Sequence, residues 1–207
     1  MKQLAQDVEA SLIARSRKGD VDAFNQLVDH YQHIMYSVVY RIIGNTDIAA
    51  DVTQDAFFSA FRNIRSYRGN ASFRAWLLRI GSNMACDHGR RIQRHPVDSL
   101  DYLEESGPGA VTSLHMQETE NDPEARLLTR EFQEFLQHAL HHLPLDQRTA
   151  VVLCDIEELS YEEIATVTQT TIGTVRSRIS RGRARLRDYL SRYWELLPRS
   201  YRLTGSD

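Results

Sequence analysis

Apolar residues in the first ninety positions return every three or four steps. Leu12, Ile13, Phe24, Leu27, Val28, Tyr31, Ile34, Met35, Val38 and Val39 follow that rhythm, the spacing of one buried helical face. Asp20 is placed to cap the second helix, because its carboxylate can accept an otherwise unpaired first-turn N–H. Gly44-Asn45 interrupts the pattern. Asn45 or Thr46 then opens a helix carrying Ile48, Val52, Ala56, Phe57 and Phe61. A polar turn from Ser66 to Asn70 follows, and Ser72 caps a helix that turns Phe73, Trp76, Leu77, Ile80 and Met84 toward a core.

Near Gln93 the rhythm fails. Residues 93–121 hold His95-Pro96, Gly107-Pro108-Gly109, many acids and few large apolar side chains. So long an unstructured stretch is unusual inside one domain, which predicts a linker between two. Asp122-Pro123-Glu124 reads as a helix start. Leu127, Leu128, Phe132, Phe135, Leu136 and Leu140 form its stripe, and Leu143-Pro144 ends it. Three shorter patterns follow. Asp146 is expected to cap the first, around Ala150, Val151 and Leu153. Ser160 with Glu163 makes a capping box for the second. The third runs from about Thr171 to Tyr193 with Val175, Ile179, Leu186 and Leu190 on one side. No segment alternates with a strand period. The expected fold is all-α: two small helical domains, 1–93 and 123–193, joined by a flexible acidic linker, 94–122, and followed by an extension, 194–207.

Charge sharpens this division. The 207 residues carry a formal net charge of −3, which suggests indifference to nucleic acid. Residues 1–92 nevertheless hold 12 Lys+Arg against 9 Asp+Glu, and residues 93–142 hold 3 against 10. Residues 176–202 hold nine Arg and only Asp188 and Glu195. Arginine offers a planar fork suited to phosphate and to guanine edges. The composition is that of an ordinary globular protein, with 42% hydrophobic and 26% charged residues. No apolar run reaches the ~18 residues of a membrane span, and the N-terminus has no apolar signal core. The separated Cys86 and Cys154 fit a reduced, cytoplasmic setting.

The last two helical patterns form a helix-turn-helix. Ile164, Ala165, Val175 and Ile179 have the spacing to pack the two helices together. Thr174, Arg176, Ser177, Ser180 and Arg181 fall away from that seam, where hydroxyls and guanidinium groups can meet base edges in a major groove. Arg178, Arg183, Arg185 and Arg187 are better placed for phosphates. Tyr161-Glu162-Glu163-Ile164-Ala165, with Gly173-Thr174-Val175-Arg176-Ser177-Arg178, resembles the −35-reading domain of extracytoplasmic-function (ECF) RNA polymerase sigma factors. Leu143-Pro144-Leu145-Asp146-Gln147-Arg148 resembles its usual lead-in. The chain departs from the family at Thr168-Gln169-Thr170-Thr171, where members often carry Leu-Gly-Ile-Pro. Glycine suits a left-handed turn and glutamine suits it poorly.

A second match precedes it in the order the family requires. The segment from Asp47 to Phe57 resembles the family's acidic helix for the β′ clamp helices of core polymerase. Asp51, Gln54, Asp55 and Phe58 share one face of it, with Asp47 at its start. Tyr67 to Ile80 resembles the promoter-melting segment, continued by Asn83, Asp87, Arg90 and Arg91. Melting needs a pocket for an unstacked base and cations for a separated strand. The resemblance gives Tyr67 to stacking, and Ser72 and Asn83 to base edges. Arg68, Arg74, Arg79, Arg90 and Arg91 then go to phosphates. Trp76 lies on the apolar stripe and is expected in the core, and Asp87 is a candidate ion-pair partner for a nearby Arg.

The resemblance therefore implies a factor that joins core bacterial RNA polymerase through the β′ clamp helices and the β flap. It would bind the −35 element, melt the −10 element of promoter DNA and answer to an anti-sigma factor. It implies no cofactor. His138, His141 and His142 cluster, with His115 upstream, but lack a His-Glu-x-x-His arrangement or a nearby Cys, so no metal site is expected. No P-loop, nucleophile elbow or dinucleotide fingerprint is present, and an enzyme is not expected. Two other readings use the same residues. A stand-alone helix-turn-helix regulator leaves the Tyr67–Arg91 segment unexplained, and a sigma-like decoy is favoured only by Gln169.

Overall fold

The computed structural model describes residues 5–94 and 123–193. All regular structure among them is helical, as the apolar rhythm predicts. The first group holds α1 (Gln6–Ser16), α2 (Val21–Ile43), α3 (Thr46–Asn63), a 3-10 turn (Ile64–Ser66) and α4 (Phe73–Arg94). The second holds α5 (Pro123–His141), α6 (Leu145–Val151), a π-turn (Val152–Ile156), α7 (Tyr161–Thr168) and α8 (Ile172–Arg192). The expected linker, from residue 95 on, and the expected extension lie outside the described residues.

Most starts are capped where the sequence places the caps. Asp20 accepts the Ala23 N–H at 3.0 Å, and Asn45 accepts those of Asp47 and Ile48, each at 3.0 Å. Ser72 accepts from Ala75 at 3.2 Å. Ser160 and Glu163 form a complete capping box. Each satisfies first-turn donors that a helix cannot pair internally. Asp146 is the exception. Pro144 is the cap of α6 and its carbonyl accepts from Gln147 and Arg148, each at 2.9 Å. Pro144, with its fixed φ, makes the entry, and Asp146 moves inside the first turn. There its carboxylate is free to accept Arg178 at 2.7 Å and Arg90 at 3.4 Å.

Leu27, Met35, Val38, Val39, Ile42, Phe73, Leu77 and Leu78 fill the interior of α1–α4 and are almost wholly buried. Leu153, Ile164, Val175 and Ile179 do the same for the helix-turn-helix. These two interiors are continuous. The linker predicts two domains, but it does not predict that the second group docks on the first. Cys86 of α4 meets Thr149 of α6, Sγ to Oγ1, at 3.2 Å, both buried. Burial pushes the Cys86 thiol pKa up.

Arg148 fastens this junction. It is 9% exposed. Its guanidinium donates to the Ile42 carbonyl at 2.5 Å, to that of His141 at 3.1 Å and to that of Leu143 at 3.2 Å. No carboxylate pairs with it among the described residues. Its counter-charge is the negative end of two helix dipoles, those of α2 and α5. Burial pushes its pKa down to about 10, so it stays charged at neutral pH. Beside it Gln137 donates to the Tyr40 carbonyl at 3.2 Å. Gly44 ends α2 at φ 87, and a Cβ there would lie 2.0 Å from His141 Cε1.

Candidate nucleic-acid and polymerase interfaces

Three surfaces carry the residues singled out by the sequence. The first is the outer face of α3. Asp47, Asp51, Gln54, Asp55 and Phe58 are all exposed there. Phe58 is 56% exposed, unusual for so large an apolar ring. It borders an apolar groove of about 580 Å³ between α2 and α3, floored by Phe24, Val28, Tyr36, Phe57 and Phe61. An acidic rim beside an aromatic groove suits a basic amphipathic helix, with cations on the carboxylates and an apolar stripe in the groove.

The second surface surrounds the turn before α4. Tyr67, Arg68, Trp76 and Arg79 line a pocket of about 380 Å³. The Tyr67 ring packs against Phe73 at 5.4 Å and Trp76 at 5.5 Å between centroids. Its hydroxyl donates to the Ala71 carbonyl at 2.9 Å. Burial pushes the Tyr67 pKa up, so it presents a neutral ring with one face fixed and one edge toward the pocket. Trp76 is half-buried rather than fully in the core. Together the two rings can take an unstacked base. Arg68 and Arg91 are exposed, and Arg79 and Asn83 are half-buried.

Three members of this group are already engaged. Arg74 pairs with Glu157 of the second group at 2.5 Å. Ser72 donates to Glu163 at 3.3 Å. Arg90 pairs with Asp87 at 3.3 Å and Asp146 at 3.4 Å, which makes Asp87 the ion-pair partner expected. Sequence reasoning missed Glu157, Glu163 and Arg41 as parts of this surface. Glu157 is 6% exposed. Arg41, whose pKa burial pushes down and the Glu157 carboxylate pulls back up, stands close to it. No local pattern could reveal contacts that span 83 and 91 positions of sequence.

The third surface is the helix-turn-helix. Val175 and Ile179 are buried against Ile164 and Val167, and Ala165 is half-buried beside them. Gln169 adopts the left-handed conformation at φ 54, ψ 43. The Thr170 N–H donates to the Ala165 carbonyl at 3.0 Å, which closes α7 as a glycine turn would. The departure from the family's turn residues thus changes the cost of the turn and keeps its course, and the decoy reading loses its one support. Thr171 accepts the Thr174 N–H at 3.2 Å and opens α8. Arg176, Ser180, Arg181 and Arg185 are exposed, with Thr174 and Ser177 half-buried among them. Arg178 pairs with Asp146 at 2.7 Å, and Arg183 makes a two-pronged pair with Asp155. Among the described residues the three arginines 176, 181 and 185 have no ion pair.

Comparison with known proteins agrees with this division. Residues 27–95 match the family described as Sigma-70 region 2, and residues 134–186 match Sigma-70, region 4. The chain is 38% identical over 180 residues to the RNA polymerase sigma-H factor of Pseudomonas aeruginosa, covering 87% of this chain and 92% of that protein. It is 37% identical over 175 residues to the ECF RNA polymerase sigma-E factor of Haemophilus influenzae, covering 84% and 91%. Among solved structures, CnrH in complex with the cytosolic domain of CnrY aligns at a TM-score of 0.61 and 25% identity, over 89% of this chain and 97% of that one. The sigma factor RpoE in complex with the anti-sigma factor NepR, from Bartonella quintana, aligns at 0.61 and 26%, over 81% and 96%. With helices, turn and both charged faces in the same order, this chain belongs to the ECF RNA polymerase sigma factors.

Proposed function

We propose that the chain directs core RNA polymerase to promoters with two upstream elements, and that residues 1–93 and 123–193 divide the labour. The acidic rim Asp47, Asp51, Gln54 and Asp55, with Phe58, engages the β′ clamp helices. Tyr67 and Trp76 receive an unstacked −10 base, with Ser72 and Asn83 at its edge. Arg68, Arg74, Arg79, Arg90 and Arg91 hold the parted strand. Thr174, Arg176, Ser177, Ser180 and Arg181 read the −35 major groove, while Arg178, Arg183 and Arg185 lie toward the phosphates. The flap of the β subunit meets the second domain, and residues 94–122 span between the two. The chain catalyses no reaction of its own and works in the cytoplasm, where polymerase and promoter meet. No described helix is long and apolar enough to cross a membrane. An anti-sigma factor is the expected regulator, in keeping with the two sigma factor complexes that align with the chain.

One observation carries this reading. An aromatic pocket with free cations and a hydroxyl-and-arginine helix occupy separate parts of one chain, beside an acidic, Phe58-bearing groove. A lone DNA-binding regulator has no use for that groove. The test is reconstitution with core polymerase on a library of promoter-like fragments. Run-off transcripts that share a pair of upstream elements are the expected result. Phe58→Ala should weaken co-elution with core by about tenfold or more, the scale of an aromatic anchor. Failure of the wild-type chain to co-elute at low salt would refute the proposal.

A further inference from the structure

The second half of the chain lies on the surface that the proposed function gives to the −10 strand. Glu157 enters it from the end of the π-turn, buried, and takes the Arg74 guanidinium at 2.5 Å. The buried Arg41 Nη1 has no hydrogen-bond partner, and Glu157 is the carboxylate that bears on its charge. Glu163 takes the Ser72 hydroxyl at 3.3 Å. With Thr166 and Val167 it also walls the Tyr67–Trp76 pocket. Asp146 holds Arg90. Each of these acids sits on a group that a DNA strand would need. A carboxylate on a guanidinium is also the closest protein counterpart of a phosphate on one.

We propose that this packed arrangement is self-inhibited. In it Glu157 and Glu163 act as an internal substitute for the −10 strand, and the two halves must part before DNA can enter. The inference rests on the proposed sigma function. Arg148 and the Cys86–Thr149 contact hold the halves in register. Glu157 and Glu163 supply the block itself. Polymerase favours the parted state by taking the first half through its α3 face and the second through the flap, since a partner shifts an equilibrium only by preferring one of its states.

A reversible lock tests this directly. In a Cys154→Ser background, Thr149→Cys places a second thiol opposite Cys86, across a gap of 3.2 Å from Sγ to the present hydroxyl. Oxidation by diamide joins the two thiols, which lose two protons and two electrons to the reagent. Mass spectrometry of the linked peptides verifies the bond. With core polymerase, the oxidised chain should give no transcripts, and dithiothreitol should restore the level of the reduced chain. A second arm needs no cross-link. Glu157→Gln with Glu163→Gln should raise the affinity of the free full-length chain for a pool of single-stranded oligonucleotides by about tenfold. The comparison is Glu158→Gln with Glu162→Gln, which removes the same charge from exposed positions. Equal transcription from the locked and reduced chains would overturn the inference and leave the sigma function standing. So would equal affinity in the two charge-matched pairs. No transcripts from the reduced chain would overturn both.

Discussion

Replacing Arg148 with methionine removes one guanidinium and keeps the apolar stem. Three charge-assisted hydrogen bonds are lost, those to Ile42, His141 and Leu143. Each is worth about 1.5–3 kcal/mol in a folded protein. The opposing term is the cost of burying the charge. A pKa pushed from 12.5 to about 10 by burial measures that cost at roughly 3 kcal/mol. The balance is a loss of about 3 kcal/mol, in the range found when a buried charge network is broken. Urea unfolding should show this as a lower midpoint. It should also show a shallower or split transition, because the second group of helices then unfolds without the first. Arg148→Lys should recover little, since one ammonium cannot reach the Ile42 carbonyl and both α5 carbonyls with a planar fork. A loss below about 0.5 kcal/mol, or full recovery by lysine, would refute the account of Arg148 as the bolt between the two groups.

Four further outcomes follow from particular positions. Gln169→Gly should stabilise the chain by about 0.5–1 kcal/mol and raise Tm by a few degrees, because it relieves a left-handed non-glycine residue. Gly44→Ala should cost far more than Gly19→Ala in thermal unfolding. Both glycines have positive φ, but only the Gly44 Cβ strikes a neighbour, His141. Asp20 has its pKa held below 3.8, first by the Ala23 N–H and then by Arg15. Its share of stability is present above pH 3.8 and lost as pH falls through the lower folded value, so Asp20→Asn should flatten that acid limb of the stability curve. Arg176→Ala and Arg181→Ala should each reduce transcription from the cognate −35 element by about tenfold or more. Arg183→Ala, whose guanidinium is held by Asp155, should be read mainly in unfolding.

The helices and their starts were legible because they are local. Asp20, Asn45, Ser72, Ser160 and Thr171 each signal through a neighbour two or three residues away. The DNA-facing side of α8 was legible for the same reason, since an apolar seam fixes the opposite face. Asp146 was misread because Leu143-Pro144 and an acid look like a stop followed by a cap, while the proline itself supplies the entry. The docking of the two groups was not legible. It depends on Arg148 meeting Ile42 across 106 positions and Arg74 meeting Glu157 across 83, distances at which periodicity carries no information. The same blindness hid which arginines are committed. Arg178 and Arg183 look like Arg176 and Arg181 in sequence, and only the fold gives the first two to Asp146 and Asp155.

The π-turn at Val152–Ile156 sets the aim of everything after it. There the Glu157 N–H bonds the carbonyl five residues back, at 3.1 Å, in place of four. One surplus residue is thus absorbed within a single turn. Deleting one residue there would restore ordinary α-helical pairing and swing the following chain by about 100° around the axis. Glu157 would then leave Arg74, while the recognition helix, folded on its own contacts, would remain intact. A single-codon change in length could therefore retune how readily the chain opens without touching any residue that reads DNA. Variation among relatives at this turn should be sought in length before it is sought in residue type.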